Sequence, residues 1–163
     1  MGIKGKNNRI NSHINIKTAP ICNNCPARIY QKEDDSVKYG KGNLFPNYIF
    51  VLPAEAITNK FTERYLKDIV EDLIDINIEY ITYHPKCIAS SPVEGYADYC
   101  KQYLFYEIRR LKPKKIIFFG VNIPEELYTK QQPFEVYKFN NLLSIYYGNA
   151  KLSEFKEKLK QIL

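Results

Sequence analysis

Apolar residues fall along the chain in short blocks whose spacing alternates between the period of a strand and that of a helix. Tyr48-Ile49-Phe50-Val51-Leu52 is an unbroken apolar run ended by Pro53, which predicts a buried strand. Phe61, Tyr65, Leu66, Ile69, Val70, Leu73 and Ile74 share one broad face with charges between them, predicting a helix over 61–74. Ile76 to Tyr83 is strand-like. Tyr103, Leu104, Ile108 and Leu111 give a second amphipathic helix over 96–111, which Pro113 stops. Lys115 to Phe119 is a buried strand closed by Gly120, and Pro124 to Lys130 a short helix. Val136 to Phe139 and Leu142 to Tyr147 read as two further strands. Leu152, Phe155, Leu159 and Leu163 mark a terminal amphipathic helix over 151–163.

Strands alternating with helices predict a layered α/β domain with a largely parallel sheet. In such sheets function gathers in the loops at the carboxyl ends of the strands. Those loops are expected to begin at Pro53, His84, Gly120 and Gly148. Ahead of the first strand, residues 1–20 form a basic, Asn-rich arm without periodicity, carrying Lys4, Lys6, Arg9 and Lys17. Residues 21–46 read as irregular structure containing two Cys, two Pro and the Gly40–Gly42 pair.

A length of 163 residues predicts one domain, and a hydrophobic share of 45% excludes a disordered chain. No apolar run approaches the roughly 20 residues that span a bilayer. No apolar segment follows the first basic residues, so no secretory signal is expected. The expected location is the cytoplasm, or the host cytoplasm for a viral chain. Lys and Arg exceed Asp and Glu by 24 to 18, a net charge of +6 that permits a polyanionic partner.

The candidate chemistry lies in the four cysteines. Cys22 and Cys25 form a C-x2-C pair, 61 residues separate Cys25 from Cys87, and 12 separate Cys87 from Cys100. In a chain without secretory features this usage points to metal or redox chemistry ahead of disulfides. Four thiolates suit a 4Fe–4S cube, one per iron, and also a tetrahedral structural zinc. Zinc ribbons commonly use two tight C-x2-C pairs, whereas here the second pair is split, and a large cube tolerates wider ligand separation. A redox C-x2-C pair with two unrelated core thiols is the third reading.

The spacing and its flanks resemble the iron–sulfur uracil-DNA glycosylases, often called family 4. CNNCPARIYQ at 22–31, Tyr39-Gly40-Lys41-Gly42-Asn43 ahead of YIFVL, YITYHPKC at 80–87 and CKQYLFYEIRRLKPKKIIFFG at 100–120 carry the likeness, which covers most of residues 20–163. The resemblance implies a three-layer α/β/α domain over 21–163 with a mostly parallel central sheet. It also implies a 4Fe–4S cluster, ahead of zinc, on Cys22, Cys25, Cys87 and Cys100 that staples the amino-terminal segment to the fold.

The family's catalytic motifs do not carry over. Where it has an acidic loop after the first strand, this chain reads Leu52-Pro53-Ala54-Glu55-Ala56, with Pro53 at the acidic position and Glu55 two residues on. Tyr83 stands near the family's uracil-reading Asn, and Tyr147 of Tyr146-Tyr147-Gly148-Asn149 at its catalytic His. His84, by its place at a strand's carboxyl end, is a further candidate, or it caps the cysteine loop. Phe61 can stack on a base or pack in the core. Cleaving the bond to uracil requires stabilising a uracil anion, and losing one preorganised donor costs about 10²–10³ in rate. The expectation is therefore a divergent glycosylase-like protein of DNA repair or replication. It binds DNA or a protein partner there, with base excision weak or lost. The alternatives are an active uracil-DNA glycosylase using Glu55, Tyr83, His84 and Tyr147, and a metal-stabilised protein interaction module. Lys4, Lys6, Arg9 and Asn149 are the candidate nucleic-acid contacts, with a solubilising tail as the competing reading of the arm. The cations Arg109, Arg110, Lys112, Lys114 and Lys115 either meet phosphates or simply favour a helix end.

Overall fold

The computed structural model describes residues 14–15, 25, 36–37, 39–87, 95–129, 131–148 and 152–163. Two short strands, β1 (Ile14–Asn15) and β2 (Ser36–Val37), pair antiparallel, so part of the basic arm is tied to the segment before the main sheet. The main elements follow as β3 (Lys41–Gly42), β4 (Tyr48–Leu52), α1 (Lys60–Val70), β5 (Tyr80–Tyr83), α2 (Tyr96–Leu111) and β6 (Lys115–Phe119). A short α3 (Glu126–Thr129), β7 (Glu135–Phe139), α4 (Leu142–Gly148) and α5 (Leu152–Ile162) complete the chain.

Five strands form one sheet in the order β3-β5-β4-β6-β7, with β4, β5, β6 and β7 parallel and β3 antiparallel at the edge. The chain steps one way from β4 to β5 and back past β4 to β6. Right-handed crossovers therefore place α1 and α2 on opposite faces. The core divides accordingly. Phe50, Leu52, Ile81, Ile117 and Phe119 meet Leu66, Val70, Ile145 and Phe155 from α1, α4 and α5 on one side. Ile49, Val51, Ile116 and Phe118 meet Leu104, Ile108 and Leu127 from α2 and α3 on the other. The result is the expected three-layer α/β/α arrangement with a mostly parallel sheet. Its order reverses between β4 and β6, so the crevice of an open α/β sheet lies outside the carboxyl ends of those two strands.

The edge strand depends on two glycines. A Cβ on Gly40 would lie 2.3 Å from the Ile81 carbonyl oxygen, and one on Gly42, at φ +139°, 2.0 Å from that of Glu79. Only residues without a side chain let β3 lie against β5 here.

Three expectations change. Leu142–Tyr147 is not a strand but most of α4. The Asn141 side chain accepts a hydrogen bond from Leu143 N at 2.9 Å, which caps the helix, and Leu142 and Ile145 bury at helical spacing. The loop at the carboxyl end of the fourth parallel strand therefore begins at Asn140, and Gly148 ends a helix. The strand expected over 76–83 is confined to Tyr80–Tyr83, because the Asp75 side chain accepts from Asn77 N and turns Ile76–Ile78 into a 3-10 helix. Helix α1 closes at Val70, whose carbonyl accepts from Leu73 and Ile74, short of the expected residue 74.

Candidate functional site

The described cysteines come from three separate places in the chain. Cys87 lies just beyond the end of β5, Cys100 sits in the second turn of α2, and Cys25 comes from the amino-terminal segment; all three are buried. The Cys87 and Cys100 thiols share a hydrogen bond, and the Lys86 backbone N–H donates to the Cys100 sulfur. The Cys87 hydrogen bond and burial hold the Cys100 thiol far above its ordinary range, so it is a neutral thiol here. Tyr96, in the first turn of α2, feels all three. Burial, then Cys87, Cys100, Glu55 and Cys25, push its phenol up to about 12. Residues 25, 87 and 100, far apart in the chain, therefore all lie within electrostatic reach of one ring. Among the described residues no group of three His, Cys, Asp or Glu side chains is already disposed to hold a metal ion. Cys22, the fourth expected ligand, lies outside the described residues. Buried sulfur donors with a backbone N–H aimed at one of them are the ligand chemistry that a soft metal or an iron–sulfur cluster takes as thiolates.

Around this neighbourhood runs a buried polar network that the sequence pattern did not single out. Lys86 is fully buried and its ammonium pairs with the Glu107 carboxylate of α2 while donating to the Thr82 hydroxyl. The same carboxylate accepts from Thr82 Oγ1 at 2.7 Å, from Tyr80 Oη at 3.1 Å and from Gly40 N at 2.7 Å. Burial pulls the Lys86 pKa down and Glu107 opposes that pull. Glu107 thus ties β3, β5, the cysteine loop and α2 together. The one available sequence signal was a carboxylate inside the apolar stripe Tyr103, Leu104, Ile108 and Leu111.

The four candidate catalytic residues are distributed differently from the expectation. Glu55 is exposed in the 3-10 turn Ala54–Ile57 that follows β4, at the crevice and within electrostatic reach of Tyr96. Tyr83 faces the other way, into the α1 core, where its hydroxyl donates to Glu63 Oε2 at 3.4 Å. Burial and the Glu63 charge push its phenol well up. Glu63 is itself clamped by Lys41 at 2.9 Å and Lys67 at 3.2 Å; these cations outweigh burial and hold its carboxyl below the usual range. His84 is 4% exposed, its backbone N–H donates to the Leu52 carbonyl, and burial followed by the Lys86 charge pushes its imidazole down to about 4. Its Nδ1 is the one buried side-chain N or O atom without a hydrogen-bond partner among the described residues. Tyr147 is 78% exposed near the end of α4, and its ring meets Tyr146.

Phe61 lies half-buried in the first turn of α1, its ring stacked on Tyr65 and met edge-on by Tyr146. Arg109, Arg110, Lys112 and Lys114 are exposed where α2 runs into the amino end of β6, the pole opposite the crevice. Lys112 adopts a left-handed φ of 48° and its N–H closes the helix on Ile108, so the run spans the end of α2. Lys4, Lys6, Arg9 and Asn149 lie outside the described residues. Among the described residues no helix is long and apolar enough to cross a membrane. Compared with known proteins, the chain matches no family model and no curated protein sequence.

Proposed function

We propose that the chain is a divergent uracil-DNA glycosylase-like protein of replication or repair. It binds DNA, base excision is weak or lost, and a 4Fe–4S cluster is held by Cys22, Cys25, Cys87 and Cys100. The observation that carries this reading is that Cys87 and Cys100 share a hydrogen bond and that both, with Cys25, are buried within electrostatic reach of Tyr96 on a doubly wound sheet. Thiolate ligands would supply the cluster, and the cluster would supply a clip between the amino-terminal segment and the loop after β5. The weak-excision part rests on the placement of the substituted residues. Tyr83 spends its hydroxyl on Glu63 inside the core. Tyr147 lies in open solvent, where a neutral phenol is a poor partner for a developing uracil anion. Glu55 alone of the four is exposed at the switch-point crevice.

Iron and acid-labile sulfide analysis of anaerobically purified protein tests the cofactor: brown protein is expected, and colourless, zinc-loaded protein overturns it. DNA affinity that falls steeply between about 50 and 200 mM salt is expected from phosphate contacts, and a flat response overturns the DNA reading. One observation favours an active enzyme as a second reading: the unpartnered, neutral His84 Nδ1 at the carboxyl end of β5. Uracil release from a single-stranded oligonucleotide that His84→Gln or Glu55→Gln abolishes would establish it.

A further inference from the structure

Four aromatic rings from two helices make an ordered, solvent-facing surface. Phe61 and Tyr65 of α1 stack at 5.8 Å with an interplanar angle of 10°. Tyr146 of α4 stands edge-on to both, at 4.9 Å and 5.2 Å. Tyr147 in turn stands edge-on to Tyr146 at 5.2 Å. Tyr146 is 44% exposed and Tyr147 78%. The half-buried rings of Phe61 and Tyr65 back Tyr146, which lowers the ordering entropy Tyr146 gives up to a planar ligand.

The surroundings of the rings are basic. Lys60 and Arg64 are exposed one residue before Phe61 and Tyr65 on the same helix. Asp68, also exposed on α1, stands one turn after both Tyr65 and Arg64 and closes the strip with a single carboxylate against the two cations. Stacking rings next to cations on one face match a polyanion with accessible base faces. In a duplex the base faces are already stacked on one another, whereas a single strand leaves them open.

We propose that Tyr147 and Tyr146, backed by Phe61 and Tyr65, form a stacking platform for bases of single-stranded DNA, with Lys60 and Arg64 on the adjoining phosphates. This rests on the DNA-binding reading above and adds to it a binding surface that needs no uracil and no excision chemistry. The test is fluorescence anisotropy of the full chain with a labelled oligothymidine of about 15 nucleotides, within the span such surfaces cover. Tyr147→Ala is expected to weaken binding at least fivefold, in line with the loss of one base–aromatic stack, while Tyr147→Phe stays within about twofold. Arg64→Ala is expected to reduce the slope of log affinity against log salt by about one. Oligothymidine binding by the unaltered protein that Tyr147→Ala and Tyr146→Ala both leave unchanged would overturn the platform alone. No salt-sensitive binding by the unaltered protein would overturn the DNA reading together with it.

Discussion

A buried histidine without a partner for Nδ1 is stable only while it is neutral. His84 has its imidazole pushed down to about 4 from an ordinary value of 6.5, by burial first and the Lys86 charge second. Between those two values the unfolded chain binds a proton that the folded chain refuses, so stability falls as pH drops through that window and levels off below it. The full loss across the window is about 3 kcal/mol. Glu79 works with the opposite sign, because burial raises its carboxyl and protonation favours the folded form. The clean readout is therefore a difference: urea midpoints of the unaltered protein and of His84→Gln from pH 7 to pH 4. The unaltered protein is expected to lose the larger amount, and parallel curves would show that His84 is charged or solvated in the fold. Lys86 and Glu107 pose the complementary case of a charge pair with no route to water. Removing one partner by Glu107→Gln or Lys86→Met strands the other, at a cost of about 3–5 kcal/mol. The pair Lys86→Met with Glu107→Leu should cost less than the sum of the singles, as a double-mutant cycle in urea would measure.

Elements differ in how far their own residues determine them. β4 and β6 were readable because both are continuous apolar runs buried on both faces and punctuated by Pro53 and Gly120. Helix α2 was readable to both ends, between Gly95 in a left-handed turn and Lys112 ahead of Pro113. The six residues Leu142–Tyr147 were not, since a short apolar run fits either period, and the deciding group is the Asn141 side chain just outside it. Asn141→Ala should therefore cost about 1 kcal/mol of stability, read from the chemical denaturation midpoint, with the loss of helical signal confined to α4. An unchanged midpoint would mean that tertiary packing alone holds the helix. The same ambiguity hid part of the candidate site. A strand at 142–147 would send alternate residues to opposite faces, whereas a helix brings Tyr146 against Phe61 and Tyr65. Cys87 and Cys100 come together because only twelve residues lead from β5 into α2. The Glu107 network was not legible in the sequence, because Lys86 finds its partner 21 residues away and no local pattern specifies that pairing.

At the scale of the whole molecule, the two faces of the sheet are packed by separate apolar layers. Both apolar layers are built from β4 to β7 and their helices, and Cys25 belongs to neither. The described residues ahead of β4 are tied in by the β1–β2 pairing, by Gly40 and Gly42 against β5, by the Gly40 N–H hydrogen bond to Glu107 and by the burial of Cys25. If the four sulfurs share one cluster, the link from Cys25 to Cys87 closes a loop with 61 residues between its ends. Closing a loop of that length is worth about 4 kcal/mol in chain entropy. For a domain of this size that corresponds to roughly 10 °C in Tm. Thermal unfolding followed by circular dichroism, on anaerobically purified protein before and after iron removal, measures it. The stripped protein is expected to melt earlier, and Cys100→Ser to melt like the stripped protein whether or not iron is supplied. Equal melting temperatures before and after removal would separate the fold from any metal and leave Cys87 and Cys100 as a hydrogen-bonded pair of core thiols.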